Sequence, residues 1–248
     1  MEWFENEDFW RDFYSYMFSS ERFAAAKDEV GRIIALTQCI QGSVLDLCCG
    51  PGRHSVEFAQ RGFHVTGVDR TPFLLNRARE HATQAGASVE WVMEDMRRFM
   101  RPDAFDLACS LFTSFGYFKN EQDDLTVLRN IHRSLKETGI LVIEVLGKER
   151  LAHVWQNTIS QELEDGSLLV QRHRLRDDWS RIYSQWILLK DGRARIFDFE
   201  HTIYSGRELK ERLLRCGFQQ VQLYGGLDGS PYDQEAARLV VVARKSAA

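Results

Sequence analysis

The stretch Val44-Leu45-Asp46-Leu47-Cys48-Cys49-Gly50-Pro51-Gly52-Arg53-His54 constrains this chain more than any other. Its apolar start, bounded by a turn signal, reads as a buried strand carrying one acid, Asp46. The run breaks at Gly50-Pro51-Gly52, and the residues that follow, Ser55 to Arg61, read as a helix closed by Gly62. A strand that turns through glycines into a helix N-terminus aims free backbone N–H groups and the positive end of the helix dipole at whatever lies above the turn. It therefore favours an anionic or strongly hydrogen-bonding ligand, and the glycines let that ligand approach the backbone closely.

From Ser43 onward strand and helix patterns alternate, which argues for a parallel sheet covered on both faces. Strands are expected over Val44–Cys49, His64–Asp69, Val89–Met93, Phe105–Phe112 and Ile140–Leu146. Helices are expected over Arg53–Arg61, Thr71–Ala85 and Glu121–Lys136, with Thr71 as a cap and Pro72 in the first helical position. In such sheets ligands collect beyond the carboxyl ends of the strands. The polar strand endings Asp69, Glu94-Asp95-Met96 and Thr113-Ser114 all fall on that edge.

Residues 148–204 break the rhythm. Leu168–Arg176, Arg181–Lys190 and Ala194–Tyr204 read as strands, with hairpin signals at Asp177-Asp178 and Asp191-Gly192. An antiparallel insert after the fifth strand would lie over the ligand edge as a lid. Gln171, His173, Tyr183, Gln185, Trp186, His201 and Tyr204 would give it a mixed polar and aromatic surface. Beyond it, Ser205 caps a helix over Gly206–Arg215. Strands Phe218–Tyr224 and Arg238–Ala243 are joined too tightly for a helical crossover, so they should pair antiparallel.

The N-terminal residues are rich in rings: Trp3, Phe4, Phe9, Trp10, Phe13, Tyr14, Tyr16, Phe18 and Phe23. Their spacing suits a helical face, and Ala24–Gln38 continues as a second helix with Val30, Ile33, Ile34 and Thr37 on one side. Most of these rings are expected to pack the helices onto the sheet, and a minority to line a pocket mouth. The organisation expected is a helical cap over 1–42, a ligand-binding domain over 43–147 and 205–248, and a lid over 148–204.

With a net charge of -4 and no window dominated by Lys or Arg, the electrostatic footprint of a duplex-binding protein is missing, which argues against nucleic acid as a partner. Five cysteines, two of them adjacent, suit free thiols in a reducing compartment. No apolar run has the length of a membrane span and the start lacks the order of a signal peptide, so no membrane partner and a cytoplasmic location are expected. No zinc spacing, Walker loop or Gly-x-Ser-x-Gly elbow stands in the sequence, and no metal site is expected.

A dinucleotide-binding turn would want a third glycine where Ser55 stands. Asp46-Leu47-Cys48-Cys49-Gly50-Pro51-Gly52, followed by Asp69 at the end of the next apolar run, instead resembles motif I of the class I S-adenosylmethionine-dependent methyltransferases. In the family pattern Asp-x-Gly-x-Gly-x-Gly, Cys48 holds the place of the first glycine. The resemblance covers about Ser43 to Arg244 and implies an α/β, Rossmann-like fold. This is a seven-stranded, mostly parallel sheet with an antiparallel last strand, helices on both faces and the small antiparallel β lid. Leu-Phe-Thr-Ser-Phe-Gly-Tyr at 111–117 points to the small-molecule members, those that methylate amino sugars, glycine-type amines and other metabolites.

The resemblance also implies roles. Asp69 would accept the ribose hydroxyls, and Gly50, Gly52 and Cys48 would cradle the methionine and ribose portion. Asp46 would brace the loop amides or reach the methionine ammonium group. Asp95 would accept from the adenine amino group with Met96 offering its backbone amide, and Arg70 and Leu111 complete the cofactor contacts. Tyr14 would close an N-terminal helix over the cofactor. Tyr117, on the loop beside the sulfonium, ranks first among bases or acceptor-orienting groups; His153, His173, His201 and Tyr204 are further candidates. The expected reaction is methyl transfer from S-adenosylmethionine, with S-adenosylhomocysteine as product, to a small-molecule acceptor, foremost an amine nitrogen. Oxygen, carbon or a chalcogen as the acceptor atom, or a cofactor-binding protein without transfer, are the rivals. A monomer or homodimer is expected.

Overall fold

The computed structural model describes residues 2–246; Met1 of the expected helical cap, and Ala247 and Ala248 of the expected ligand-binding domain, lie outside the described residues. Seven strands form one sheet: β1 (Ser43–Leu47), β2 (His64–Asp69), β3 (Glu90–Met93), β4 (Phe105–Ser110), β5 (Leu135–Val145), β10 (Gln220–Tyr224) and β11 (Leu239–Arg244). Their order is β10-β11-β5-β4-β1-β2-β3. β1 pairs parallel with both β2 and β4, while β11 runs antiparallel to β5 and to β10. The sheet is therefore mostly parallel with an antiparallel last strand. The chain passes outward from β1 to β3 and then returns to β4, so strand order reverses between β1 and β4, where a crevice opens at the carboxyl ends.

Helices α4 (Arg53–Gln60), α5 (Pro72–Ala85), α6 (Glu121–Ser134) and α8 (Gly206–Arg215) fill the crossovers. Two of the hydrophobic clusters flank this sheet, one built around Leu45, Leu47 and Leu141, the other around Val44, Leu107 and Val142. Successive residues of β1 thus go to opposite cores, as a strand buried on both faces requires. Pro72 takes the first helical position of α5, but the Thr71 side chain makes no capping bond. Instead, Asp69 Oδ1 accepts the Thr71 N–H at 2.9 Å, so the strand-end acid does the capping. At α8, Ser205 Oγ accepts from the Glu208 N–H at 3.2 Å and Glu208 accepts the Ser205 N–H at 2.8 Å, a reciprocal capping box.

A second sheet of four antiparallel strands follows β5 in the order β6-β7-β8-β9: β6 (Thr158–Glu162), β7 (Leu168–Arg176), β8 (Arg181–Lys190) and β9 (Arg193–Thr202). A helix, α7 (Lys148–Val154), and β6 were not expected from the sequence. β6 is short and mostly exposed and lacks the apolar alternation that reveals a strand. Asp191 and Gly192 both take positive φ, as the two-residue turn between β8 and β9 demands. α6 ends at Ser134 rather than Lys136, because Leu135 already pairs with Phe105.

The N-terminal residues form a 3-10 turn over Trp3–Glu5, then α1 (Glu7–Asp12), α2 (Tyr14–Met17) and α3 (Ser20–Thr37). Their rings pack mainly on the four-stranded sheet. The Phe9 and Phe13 rings lie 5.6 and 5.0 Å from that of Trp186, and Trp3 lies 4.9 Å from Phe199. Burial of each such ring stabilises by about 1.5–3 kcal/mol. Arg195 on β9 adds ion pairs to Asp8 and Asp12. The first turns are thus held over the crevice between the two sheets.

Candidate active site

The crevice at the β1/β4 switch holds a cavity of about 910 Å³, counted with its mouth and the open solvent there. Each strand end contributes to its wall: Asp46 to Gly50 after β1, Asp69 to Thr71 after β2, Glu94 to Met96 after β3, and Leu111, Phe112 and Ser114 after β4. Phe4, Trp10, Met17 and Phe18 close it from the N-terminal side, and Tyr117 and Phe118 from the β4 loop.

Asp69 is the hinge of this wall. Its Oδ2 accepts the Gly50 N–H at 2.9 Å while Oδ1 accepts that of Thr71, and among the described residues no cation pairs with it. Burial pushes its carboxyl above the usual range, and the two amides pull the other way without cancelling the shift. Asp46, only 2% exposed, accepts from Ser55 Oγ at 2.5 Å and is likewise raised by burial. The bond to Ser55, the residue standing where a dinucleotide motif would have its third glycine, braces the start of α4. Cys48 takes φ +61° with its Sγ 3.6 Å from Met96 Sδ, so a side-chain residue adopts the left-handed backbone that a glycine would take there freely.

Asp95 also faces the cavity, but its carboxylate is occupied. Oδ1 accepts from Arg97 N and Nε at 2.8 and 3.0 Å, and Oδ2 from Arg97 Nη2 and Arg70 Nη1 at 2.6 and 3.2 Å. Burial would raise this group, yet the Arg97 hydrogen bonds, helped by Arg70, hold it below the ordinary value. Arg70 in turn pairs with Glu5 at 2.6 Å, tying the N-terminal turn to the rim.

Among the residues expected at the site, the structure brings Asp46, Cys48, Gly50, Asp69, Arg70, Asp95, Met96, Leu111 and Tyr117 to one cavity. The others lie elsewhere. Gly52 is turned away from the wall: a Cβ there would sit 2.5 Å from the Trp91 ring, so its smallness serves helix–strand packing. Tyr14 lies against Phe73 and Arg77 of α5, because α2 is a single turn and gives its cavity side to Met17 and Phe18. His173 bonds Ser184 Oγ at 2.9 Å beside Trp155, in a separate depression. His153 is exposed on α7, and Tyr204 is buried with its hydroxyl donating to Asp124 Oδ2 at 2.5 Å.

Arg53 and His54 are basic residues at an electrostatically odd place, a helix N-terminus, for which a surface salt bridge is the explanation expected from sequence. Both are buried, and Glu29 of α3 accepts from Arg53 at 2.5 Å and contacts His54 Nε2 at 2.6 Å, fastening the N-terminal helix to the turn. The hydrogen bonds from His54 and Arg53 overcome burial and bring Glu29 down to about 2.

The loop after β4 is strained. Phe112 and Thr113 both take φ +59°, a conformation worth about 1–3 kcal/mol each in cost for a residue with a side chain. Glu144 holds it by accepting the Phe112 N–H on its side chain and the Thr113 N–H on its carbonyl, each at 3.0 Å. Arg238 locks the arrangement by donating to Glu144 at 2.8 Å and to Thr113 Oγ1 at 2.7 Å. Met17, Phe112 and Tyr117 line the first cavity and also a second, of about 590 Å³ with its mouth, whose far side is formed by Trp3, Phe9, Trp186, Phe199 and His201. Sequence reasoning did not single out Trp3, Phe9 or Phe199 for this chamber. Trp186, Phe199 and His201 alternate onto one face of their strands, and that periodicity was the available signal.

Tyr117 stands between the cavities. Burial, with Cys48 and Asp69 nearby, pushes its phenol far above the ordinary value, so it keeps its proton at neutral pH.

Residues 44–139 match the family model of a methyltransferase domain. The chain is 29% identical over 211 residues to a methyltransferase-like protein of Bacillus subtilis, YqeM, covering 83% of this chain and 85% of that one. It is 26% identical over 213 residues to a glycine/sarcosine N-methyltransferase of Aphanothece halophytica, covering 82% and 76%. In fold it is similar to a crystal structure of an S-adenosylmethionine-dependent methyltransferase from Clostridium acetobutylicum, with a TM-score of 0.81, 14% identity, and coverage of 97% of this chain and 99% of that one.

Proposed function

We propose that this chain, a class I S-adenosylmethionine-dependent methyltransferase, places methyl groups on a nitrogen atom of a small molecule. The observation that carries the reading is the pair of cavities meeting at Tyr117, one walled by the glycine turn and Asp69, the other by rings. A two-chamber site of this kind suits a donor and a compact acceptor facing one another. The relative of Aphanothece halophytica, a glycine/sarcosine N-methyltransferase, supports nitrogen as the acceptor atom.

The first cavity fits the donor on its own terms. Asp69, buried and without a cation, offers carboxylate lone pairs beyond those used by two amides, as ribose hydroxyls require. Asp46 adds a second buried acid where a cationic amino acid portion would lie. Gly50 at φ +55° leaves the backbone bare at the wall, and Leu47, Val68, Leu74 and Met96 give the apolar surface for a base. When bound, S-adenosylmethionine supplies an electrophilic methyl on a sulfonium. The chain's share is to hold donor and acceptor in line, to shut out water with Phe4, Trp10 and Phe18, and to present the Tyr117 hydroxyl to the acceptor.

We read the four-stranded sheet as a lid over the acceptor, 148–204, with 1–42 as a helical cap and the remainder as the donor-binding domain. The five cysteines, all free thiols, support a cytoplasmic location. Incubating the chain with a metabolite extract and methyl-labelled S-adenosylmethionine, followed by mass spectrometry, tests the reading. A labelled small N-methyl product is expected; a product labelled on oxygen, carbon or sulfur, or tight binding of the donor with no labelled product, would overturn it.

A further inference from the structure

The ring-lined chamber has a composition that selects among nitrogen acceptors. Phe199 stands at its centre, with ring centroids 4.9 Å from Trp3, 5.3 Å from Trp186 and 5.5 Å from Phe9, and with the His201 ring nearly parallel at 6.4 Å. Among the described residues, Trp3 Nε1, Trp186 Nε1 and His201 Nδ1 are shut from solvent and have no hydrogen-bond partner. Each belongs to a residue of this chamber, and each such unmet group is costly in a protein interior. Two of them are indole N–H groups, which can only donate. A ligand that satisfied them would have to bring acceptor atoms.

Charge narrows the choice. Among the described residues no carboxylate lines the chamber, and the one permanent charge on its wall is the Arg238 guanidinium, already paired with Glu144. His201 stays neutral, brought down to about 4 by burial, with Arg181 and His173 adding to the effect. No carboxylate here would pair with an alkylammonium ion or take its proton, and the unpaired indole N–H groups would oppose any cation-π hold the rings offer it. Stacking surfaces abound instead, and flat rings gain from them about 0.5–1.5 kcal/mol per pair beyond burial.

Resting on the nitrogen-transfer reading above, we infer that the acceptor is a flat, uncharged heteroaromatic ring that bears its amino nitrogen directly and carries ring nitrogens or carbonyl oxygens on its edge. Trp3, Trp186, Phe199 and His201 are its specificity-determining residues.

The test uses the full chain with S-adenosylhomocysteine bound and titrates three probes by calorimetry at pH 7.5: 3-aminoquinoline, cyclohexylamine and glycine. The aminoquinoline is expected to bind at least ten-fold more tightly than the other two. Phe199→Leu and, separately, Trp186→Leu should weaken it at least ten-fold while leaving S-adenosylhomocysteine affinity unchanged, which also shows that each variant is folded. Should Phe199→Leu fail to fold, Trp186→Leu carries the test. Equal or tighter binding of cyclohexylamine or glycine, or no loss of aminoquinoline affinity in a folded variant, would overturn the inference. Methylation of glycine by the parent chain without aminoquinoline binding would overturn it while leaving nitrogen transfer intact. Binding of the aminoquinoline by a chain that methylates only oxygen would remove nitrogen transfer, and the amino requirement with it.

Discussion

The carboxylate of Asp69 accepts the backbone N–H of Gly50 at 2.9 Å, so the acid that ends the second strand also fixes the turn that follows the first. Since the other oxygen caps α5 through Thr71, one side chain sets the positions of two helix starts around the cavity. Replacing it should therefore disturb both ligand affinity and fold.

Asp69→Ala is expected to weaken S-adenosylhomocysteine by about ten- to a hundred-fold, the loss of roughly 1.5–3 kcal/mol typical of hydrogen bonds to a charged group. It should also lower the unfolding midpoint, because two buried amides lose their acceptor. Calorimetry and thermal unfolding of the same preparation read both. An alanine variant that binds like its parent would detach Asp69 from the donor site.

What the sequence disclosed follows from how local its signals are. Asp46, Gly50 and Asp69 were legible because a strand, a glycine turn and a strand-end acid lie within one short segment and topology brings them to one edge. For Arg53 and His54 the expected salt bridge is present but buried rather than at the surface, because their partner, Glu29, lies a whole helix earlier and carries no mark of its destination. Tyr14 went astray for a different reason: in a helix as short as α2, a shift of one residue exchanges the cavity face for the α5 face. The strained Phe112-Thr113 backbone depends on Glu144 and Arg238, residues far apart in sequence, and no local pattern announces such a brace.

Acidity should act on stability through two buried groups of opposite sense. Asp124, raised to about 6 by burial against the pull of the Tyr204 hydroxyl and Arg212, binds its proton more tightly folded than unfolded. Its contribution is present below the unfolded carboxyl range near pH 4 and is lost as pH rises through about 6. His201, held at about 4 chiefly by burial, takes up its proton more readily unfolded, so its stability contribution is present above about pH 6.5 and is lost as pH falls towards 4. Across pH 4–6 the two slopes oppose each other. Denaturant unfolding at pH 4.5, 5.5 and 6.5 should therefore show a steeper rise in stability with pH for Asp124→Asn than for the parent, and a shallower rise for His201→Gln. Three parallel curves would count against both assignments.

At Cys48 the backbone has φ +61°, which disfavours any side chain by about 1–2 kcal/mol, whereas glycine's greater freedom when unfolded costs about 0.5–1 kcal/mol. Cys48→Ala and Cys48→Gly both lose the thiol, so their difference isolates the backbone. The glycine variant should match or exceed the alanine variant, by up to about 1.5 kcal/mol in urea unfolding. An alanine variant that is clearly the more stable would mean the turn relaxes out of this conformation.

Gly52 and Gly62 separate close approach from backbone strain. Both have positive φ, +76° and +86°, so alanine at either position meets a similar dihedral penalty. At Gly62 a Cβ has no heavy atom within 4 Å, whereas at Gly52 it would lie 2.5 Å from the tip of the Trp91 ring and 3.1 Å from Ala78 Cβ. The Trp91 ring covers Gly67 equally closely, so it fills the space beside both glycines. Gly52→Ala should therefore destabilise by about 1–3 kcal/mol more than Gly62→Ala, the usual range for overpacking a filled site. The double variant Gly52→Ala, Trp91→Leu should recover much of that excess, since shortening the ring removes the clash while leaving the strain in place. Equal losses at the two glycines, or no coupling between positions 52 and 91 in the cycle, would show that the dihedral alone accounts for glycine at 52, and that Trp91 does not set the distance between α4 and the strands beneath it.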